Sequence, residues 1–344
     1  MRLDSIPRVP LTQLPTPLED APRLAAELGL RRLLIKRDDC TTLAGGGNKA
    51  RKLEYLMADA LAKHADVVLT DGGPQSNHAR MTAAACRKLG ISRCILYLGG
   101  PRFDRFDGNL LLDVVLGAEI RFMEDATVND MEDAMAAAAD ELRRGGATPH
   151  VIPIGGSTPI GALGYVQAVR ELAGQLREED RSPTIVLAVG SGGTIAGCAL
   201  GARLFLPDAD VVGISVSRKS RPLREIGASV ANESAALLDE KTSFRPDELT
   251  VYDEYYGERY GVPSPEGNAA VTLTARTEGV ILDPVYTGKA MSGLIDLAKR
   301  DAIDRERSVV FIHTGGLPGL MAFENYFRAQ ASFTLASRPG TQSR

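Results

Sequence analysis

Eight short apolar runs punctuate the chain: Leu33–Lys36, Val67–Thr70, Cys94–Leu98, Glu119–Phe122, Val151–Ile154, Ile185–Val189, Val211–Val216 and Val309–His313. Each is strand-sized, and several are rich in Val, Ile and Leu without polar alternation. That pattern predicts strands covered on both faces. Longer amphipathic segments lie between them. Asn48–Lys63 places Ala50, Leu53, Leu56, Met57, Ala60 and Leu61 on one helical face. Asn77–Leu89 is Ala-rich, Asp130–Arg144 repeats Ala and Met at helical spacing, and Pro159–Leu176, Thr194–Leu206 and Tyr286–Lys299 continue the series. Strand–helix–strand repetition predicts an α/β fold with mainly parallel sheets, helices on both faces and right-handed crossovers. Ser220 to Tyr260 is the least regular stretch and reads as a helix, a polar excursion and a Tyr-rich loop. The tail after Gln330 is polar and is expected to fray.

Gly-rich joints at Gly45–Gly47 and Gly155–Gly156 are candidate points of entry to and exit from a smaller domain. A length of 344 residues allows two domains of roughly 100–200 residues each. The expected division is 1–47 with 159–344 as the larger domain and 48–158 as the smaller. The apolar fraction of 44% and charged fraction of 24% are those of a globular protein. A net charge of −4 without a Lys/Arg stripe argues against nucleic acid as a partner. No apolar run approaches the ~20 residues of a membrane span, and the Pro-rich start is too polar for a signal peptide. Cys40, Cys86, Cys94 and Cys198 have neither metal-ligand nor redox spacing and read as buried reduced thiols, so a cytoplasmic setting is expected.

The candidate chemistry sits at strand-to-helix corners. Gly45–Gly47 lead into Asn48-Lys49-Ala50-Arg51-Lys52, placing Lys49 on the first turn of a helix. The positive end of the helix there disfavours the ammonium form, and a lysine with a depressed pKa suits Schiff-base chemistry. Gln75-Ser76-Asn77-His78 opens the next helix, where free N–H groups suit a carboxylate; Ser76 and Asn77 also read as plain caps. Gly190-Ser191-Gly192-Gly193-Thr194 follows a strand and opens a helix as a compact phosphate cup. A dinucleotide fingerprint would need glycine where Ile195 stands, and the Gly-Lys-Ser/Thr of a P-loop is absent. Asp283-Pro284-Val285-Tyr286-Thr287 and His313-Thr314-Gly315-Gly316 complete the set, with Tyr260 as a second loop tyrosine able to cover a planar ligand or donate a proton. His78 and His313 have no ligand partner at helical spacing, so no metal site is expected. His64 and His150 read as surface residues.

With these motifs in this order, the chain resembles the D-cysteine desulfhydrase and aminocyclopropane-carboxylate deaminase family, which also includes L-cysteate sulfo-lyase. The resemblance runs from Pro15-Thr16-Pro17-Leu18 to about Phe327. It is carried by Ile35-Lys36-Arg37-Asp38-Asp39, Gly46-Gly47-Asn48-Lys49-x-Arg51-Lys52-Leu53-Glu54, Gln75-Ser76-Asn77-His78 and Asp283-Pro284-Val285-Tyr286. It implies a tryptophan-synthase-β-like, fold type II enzyme that uses pyridoxal 5′-phosphate in the cleft between two domains, as a homodimer. Lys49 would carry the cofactor as a Schiff base and Asn77 would bond its ring hydroxyl. Gly190, Ser191, Gly192, Gly193 and Thr194 would hold its phosphate, and Thr314 would face its pyridine nitrogen. Ser76, with Asn77, His78 and their backbone, would take the substrate carboxylate. Tyr260 and Tyr286 would lie on the substrate side.

Two departures bear on the substrate. The ring-opening deaminases carry a glutamate near the pyridine nitrogen where this chain has Thr287, which disfavours ring opening and suits β-elimination with a good leaving group. Gly72-Gly73-Pro74 before Gln75 would reshape the pocket beside Ser76. The implied activity is β-elimination from a small sulfur-bearing amino acid, D-cysteine first and L-cysteate as alternative. A nicotinamide oxidoreductase would explain the parallel sheet but not Ile195 or Asn48-Lys49, and a cofactor-free binding protein would leave Lys49 idle.

Overall fold

The structure is a computed structural model, and residues 2–101 and 105–330 are described. Ten strands form two sheets: β1 (Leu18–Asp20), β2 (Arg32–Lys36), β3 (Val67–Gly72), β4 (Arg93–Gly100), β5 (Glu119–Glu124), β6 (Pro149–Ile152), β7 (Thr184–Val189), β8 (Asp210–Ser215), β9 (Thr250–Tyr252) and β10 (Ser308–Ile312). Helices of seven residues or more are α1 (Pro22–Leu28), α2 (Lys49–Ala62), α3 (Asn77–Leu89), α4 (Gly108–Val115), α5 (Val128–Arg144), α6 (Pro159–Gln175), α7 (Gly193–Phe205), α8 (Ser220–Leu237), α9 (Pro265–Glu278) and α10 (Thr287–Lys299).

The larger sheet runs β1-β2-β10-β7-β8-β9 and the smaller β5-β4-β3-β6. All pairings are parallel except β1 with β2. Every residue of β7 and β10 is buried, as unbroken apolar runs in a doubly covered sheet should be. One face of the larger sheet packs Leu24 and Leu28 of α1, Val271 of α9 and Leu294 of α10. The other receives Tyr165 and Leu172 of α6 and Cys198 of α7. Helices α6 and α7 approach closely because α7 has glycine at 197, where a Cβ would lie 2.3 Å from the Ala162 carbonyl oxygen.

A buried ionic knot ties α2 to the larger sheet. Arg51 donates from Nε to both Asp38 oxygens at 3.0 Å, and from its terminal nitrogens to Glu171 at 2.9 and 3.0 Å. Lys36 pairs with Glu171 and donates to the Thr16 carbonyl at 2.7 Å, while the Tyr165 hydroxyl donates to Asp38 at 2.5 Å. Two cations face two carboxylates, so the buried charge is balanced; removal of one member leaves an unpaired buried charge, at a cost of about 3–5 kcal/mol. The Lys36-Arg37-Asp38 and Lys49-x-Arg51 motifs are thus two halves of one cluster. It fixes the first turn of α2.

All eight apolar runs lie within or overlap strands, and all six amphipathic segments coincide with or overlap helices. Beyond those expectations are the short edge strands β1 and β9 and the helices α1, α4 and α9. Helix α9 has a weak apolar period but a legible start, Ser264 capping Gly267 N–H with Pro265 behind it. Cys40 is exposed, against the expectation of a buried thiol, whereas the other three cysteines are buried. His150 is largely covered and lies 3.7 Å from Asp59. The polar tail after Gln330 falls outside the described residues. Among the described residues no helix is long and apolar enough to cross a membrane.

Candidate active site

The carboxyl ends of β3, β7 and β10 point their loops at one cleft of about 780 Å³, which is where parallel sheets place ligand sites. Lys49 enters it from the first turn of α2. Three consecutive glycines with positive φ precede it, and at Gly46 a Cβ would lie 1.9 Å from the Asp39 carbonyl oxygen. This turn therefore requires glycine. Burial lowers the Lys49 amine to about 8, so the depression expected from the helix end has enclosure as its cause. Asn48 makes no cap bond of its own; its amide crosses to the Thr194 hydroxyl at 3.2 Å, and its N–H donates to the Thr314 carbonyl at 2.9 Å.

The sequence motifs do not single out Lys52. It lies one turn beyond Lys49 on the same helix, and its fully buried Nζ donates to the Gly155 carbonyl at 3.0 Å. A Cβ on Gly193 would lie 2.8 Å from that Nζ. Burial, reinforced by Lys49, pushes its pKa well down. The i, i+3 spacing of two lysines at a helix start is the available signal.

The Gly190–Thr194 loop joins β7 to α7. Ser191 bonds the Ser157 hydroxyl at 2.7 Å, and Gly193 N–H donates to the same hydroxyl at 3.1 Å. Gly190, Ser191, Gly192 and Thr194 line the cleft, and Gly193 sits behind them against Ser157 and Lys52. Gly155 closes on the loop so tightly that a Cβ would meet Ser191 Oγ at 2.3 Å.

Across the cleft, Ser76 caps α3 by accepting from Ala79 N–H at 3.2 Å. The plain-cap reading thus holds for Ser76, which also lines the cleft. Asn77 and His78 follow, and their first-turn N–H groups have no intrahelical carbonyl to pair with. His78 Nε2 lies 2.9 Å from Thr70 Oγ1, whose own proton goes to the Ile152 carbonyl, so Nε2 is the donor and Nδ1 an unpaired acceptor. Burial drives the His78 pKa well down and keeps the ring neutral.

Tyr260 and Tyr286 meet on the far wall with hydroxyls 2.5 Å apart. Burial raises both phenols above their usual range. Thr314 lines the cleft, but Thr287 does not. Its buried hydroxyl donates to Asp283 Oδ1 at 2.7 Å and accepts from Asp283 N–H at 2.8 Å. That hydroxyl closes the turn that starts α10. Asp107 is the carboxylate among the described lining residues, and it stands at the α4 N-cap. Of the basic trio after β8, Arg218 lines the cleft, whereas Lys219 turns to Asp253 and Arg221 to Glu225. Among the described residues no cluster of His, Cys, Asp and Glu could hold a metal.

A family model described as pyridoxal-phosphate dependent enzyme matches residues 9–315. A D-cysteine desulfhydrase of Yersinia enterocolitica is 42% identical over 94% of this chain and 97% of that protein. One from Klebsiella pneumoniae is 43% identical over 93% and 97%. The solved structure of an ACC deaminase homologue superposes with TM-score 0.89 at 41% identity, covering 96% of this chain and 98% of that one. A threonine deaminase of Solanum lycopersicum, at 17% identity and TM-score 0.62 over 89% of this chain and 80% of that one, shares the fold.

Proposed function

The chain belongs to the pyridoxal-phosphate-dependent enzyme family, and on that premise we propose that it catalyses β-elimination from D-cysteine, giving pyruvate, ammonia and sulfide. The observation that carries this reading is a buried amine at about 8 facing a glycine-lined cup across one cleft. The residues fit a phosphorylated aldehyde. Lys49 would bind the aldehyde carbon. The Gly190–Thr194 backbone with α7 behind it would hold the phosphate, and its charge would offset the burial that disfavours the ammonium form of Lys52 and so keep that amine protonated beside it. Asn77 would bond the ring hydroxyl, and Thr314 would stand at the ring nitrogen. When bound, the cofactor supplies an electron sink that makes the Cα proton of an amino acid removable.

The remaining steps fall to the chain's own groups. Ser76 and the N–H groups opening α3 orient the substrate carboxylate. Lys49, with a substantial neutral fraction near its pKa, takes the Cα proton. Tyr260 and Tyr286, held protonated, donate rather than accept, and serve the departing sulfur. The site lies between a larger unit of residues 1–47 and 159–344 and a smaller one of 48–158. Exposed Leu111, Val114 and Val115 of α4 support a homodimer.

A second reading, sulfite release from L-cysteate, is favoured by Arg218 in the cleft. Pyruvate release measured over D-cysteine, L-cysteine, L-cysteate and aminocyclopropane carboxylate tests both. Sulfide with pyruvate from D-cysteine is the expected result, and inert D-cysteine would overturn the first reading.

A further inference from the structure

Arg80 of α3 is fully buried and takes no part in the chemistry described above. Its Nη1 donates to Asn77 Oδ1 at 3.1 Å and to Asn109 Oδ1 at 2.5 Å, and its Nη2 donates to the Gly46 carbonyl at 2.6 Å. Asn109, from α4, donates through Nδ2 to the same Asn77 oxygen at 3.0 Å. A guanidinium has no acceptor atom, so the Asn77 atom facing it must be oxygen. Two donors occupy that oxygen, and among the described residues the Asn77 Nδ2 group has no protein acceptor. The amide therefore presents only N–H bonds to the cleft.

We propose that Arg80 is a positioning residue that locks Asn77 as a cleft-facing donor and, by its charge behind that amide, favours an ionised oxygen on the cofactor ring over a neutral hydroxyl. The inference rests on the placement of the cofactor by Lys49 and Asn77. A donor-only amide carries a cost against a hydroxyl that must itself donate, and none against an oxyanion. The bond to Gly46 adds a second effect, because the same guanidinium anchors the turn that delivers Lys49. Asp113 of α4 and Tyr286 from the opposite wall act on the Arg80 charge, and Lys49 of α2, His78 of α3 and Tyr260 line the same cleft as Asn77. Asp113 is the carboxylate beside Arg80, yet burial raises it to about 8 and neither oxygen is hydrogen-bonded. It does not cancel the Arg80 charge at neutral pH.

The test is a double-mutant cycle on the purified protein loaded with pyridoxal phosphate, read by cofactor affinity and by the pH titration of its bound absorbance. Arg80→Gln should weaken cofactor binding about tenfold and move that titration upward by roughly one pH unit. In an Asn77→Ala background the same change should shift the titration less, because only the direct field of the guanidinium remains. An unchanged titration in Arg80→Gln, or full additivity with Asn77→Ala, overturns the proposal. Should Arg80→Gln fail to fold, Asn109→Ala removes one of the two donors to Asn77 without altering charge. A smaller upward shift there supports the proposal and none overturns it. Borohydride fixation of the cofactor on Lys49 in the unsubstituted protein tests the underlying placement separately.

Discussion

The Tyr260 and Tyr286 hydroxyls stand 2.5 Å apart, with ring centroids at 5.9 Å and planes at 67°. One arrives on a loop and the other opens α10. Lys289, one turn into α10, donates to the Tyr256 carbonyl at 2.6 Å and to that of Arg259 at 3.2 Å, and so clamps the Tyr260 loop over Tyr286. In such a pair one phenol donates to the other, and the acceptor's own proton is left to point elsewhere.

Because both phenols are held protonated, the pair should act as an acid toward the leaving group. Tyr260→Phe and Tyr286→Phe should each lower kcat for D-cysteine by about 10²-fold or more, with cofactor affinity unchanged. The loss should shrink for β-chloro-D-alanine, because chloride departs without a proton. Equal losses on the two substrates would assign the pair to another step.

Lys49 should capture free cofactor in a pH-dependent way. A lysine lowered from 10.5 to about 8 is mostly charged below pH 8 and mostly neutral above it, and only the neutral amine attacks an aldehyde. Recombination of apoprotein with pyridoxal phosphate should therefore accelerate with rising pH and level off beyond about 8. The linkage has the same sign: a cation disfavoured in the folded state destabilises it at low pH, so the apoprotein gains stability from about 8 to 10.5. Lys49→Ala should abolish borohydride labelling and reduce the slope of that part of the stability profile by one group's share, with buried Lys52 and Lys289 supplying the rest. Label on Lys52 instead would reassign the anchor.

The site is legible in the sequence wherever chain-local pattern carries it. Glycine runs before a helix start mark Lys49 and Gly190–Thr194, because a tight turn and a helix N-terminus are both local. The buried strands are legible for the same reason. What the pattern cannot supply is the direction of side chains across elements. Thr287 reads as a cofactor contact by its place after Tyr286, yet its hydroxyl satisfies Asp283 four residues back. Lys52 stands in the sequence only as one member of a motif and Arg80 belongs to none of the motifs, and only the packing of the Gly155 turn over one and of α4 over the other buries them.

Gly192 should discriminate charge from strain in the phosphate loop. Its φ is +90°, and a Cβ there would lie 3.0 Å from Ile226, so any side chain is strained. Gly192→Ala should weaken cofactor binding modestly. Gly192→Asp adds an anion facing the phosphate and should weaken it at least about tenfold more. Equal affinities in the two variants would mean that the phosphate lies elsewhere.

Aminocyclopropane carboxylate should bind and turn over poorly. Thr287 stands where the ring-opening deaminases carry a glutamate, and its hydroxyl is turned to Asp283. On the cleft wall Thr314 offers a hydroxyl, and the carboxylate among the described lining residues, Asp107, belongs to the α4 cap. Without a carboxylate at the ring nitrogen the electron sink is weaker, which suits substrates with ready leaving groups. A spectral change on mixing with little 2-oxobutanoate is the expected outcome. Turnover comparable with that of D-cysteine would show that the wall does not set the choice.

The leaving group decides between the two sulfur substrates, and Arg218 is the residue on which they divide. A thiolate leaves as a small anion that a tyrosine can protonate, whereas a sulfonate is anionic from the moment it enters. Enclosing it requires a cation or several N–H donors. Lys219 and Arg221 are committed to Asp253 and Glu225, so of that cluster Arg218 remains to meet a sulfonate. Arg218→Ala should therefore leave sulfide release from D-cysteine nearly intact while cutting any sulfite release from L-cysteate about tenfold or more. If D-cysteine is inert and cysteate releases sulfite in an Arg218-dependent way, the order of substrates reverses. If neither turns over, the lyase acts on another small amino acid, and the tyrosine pair must serve a different leaving group.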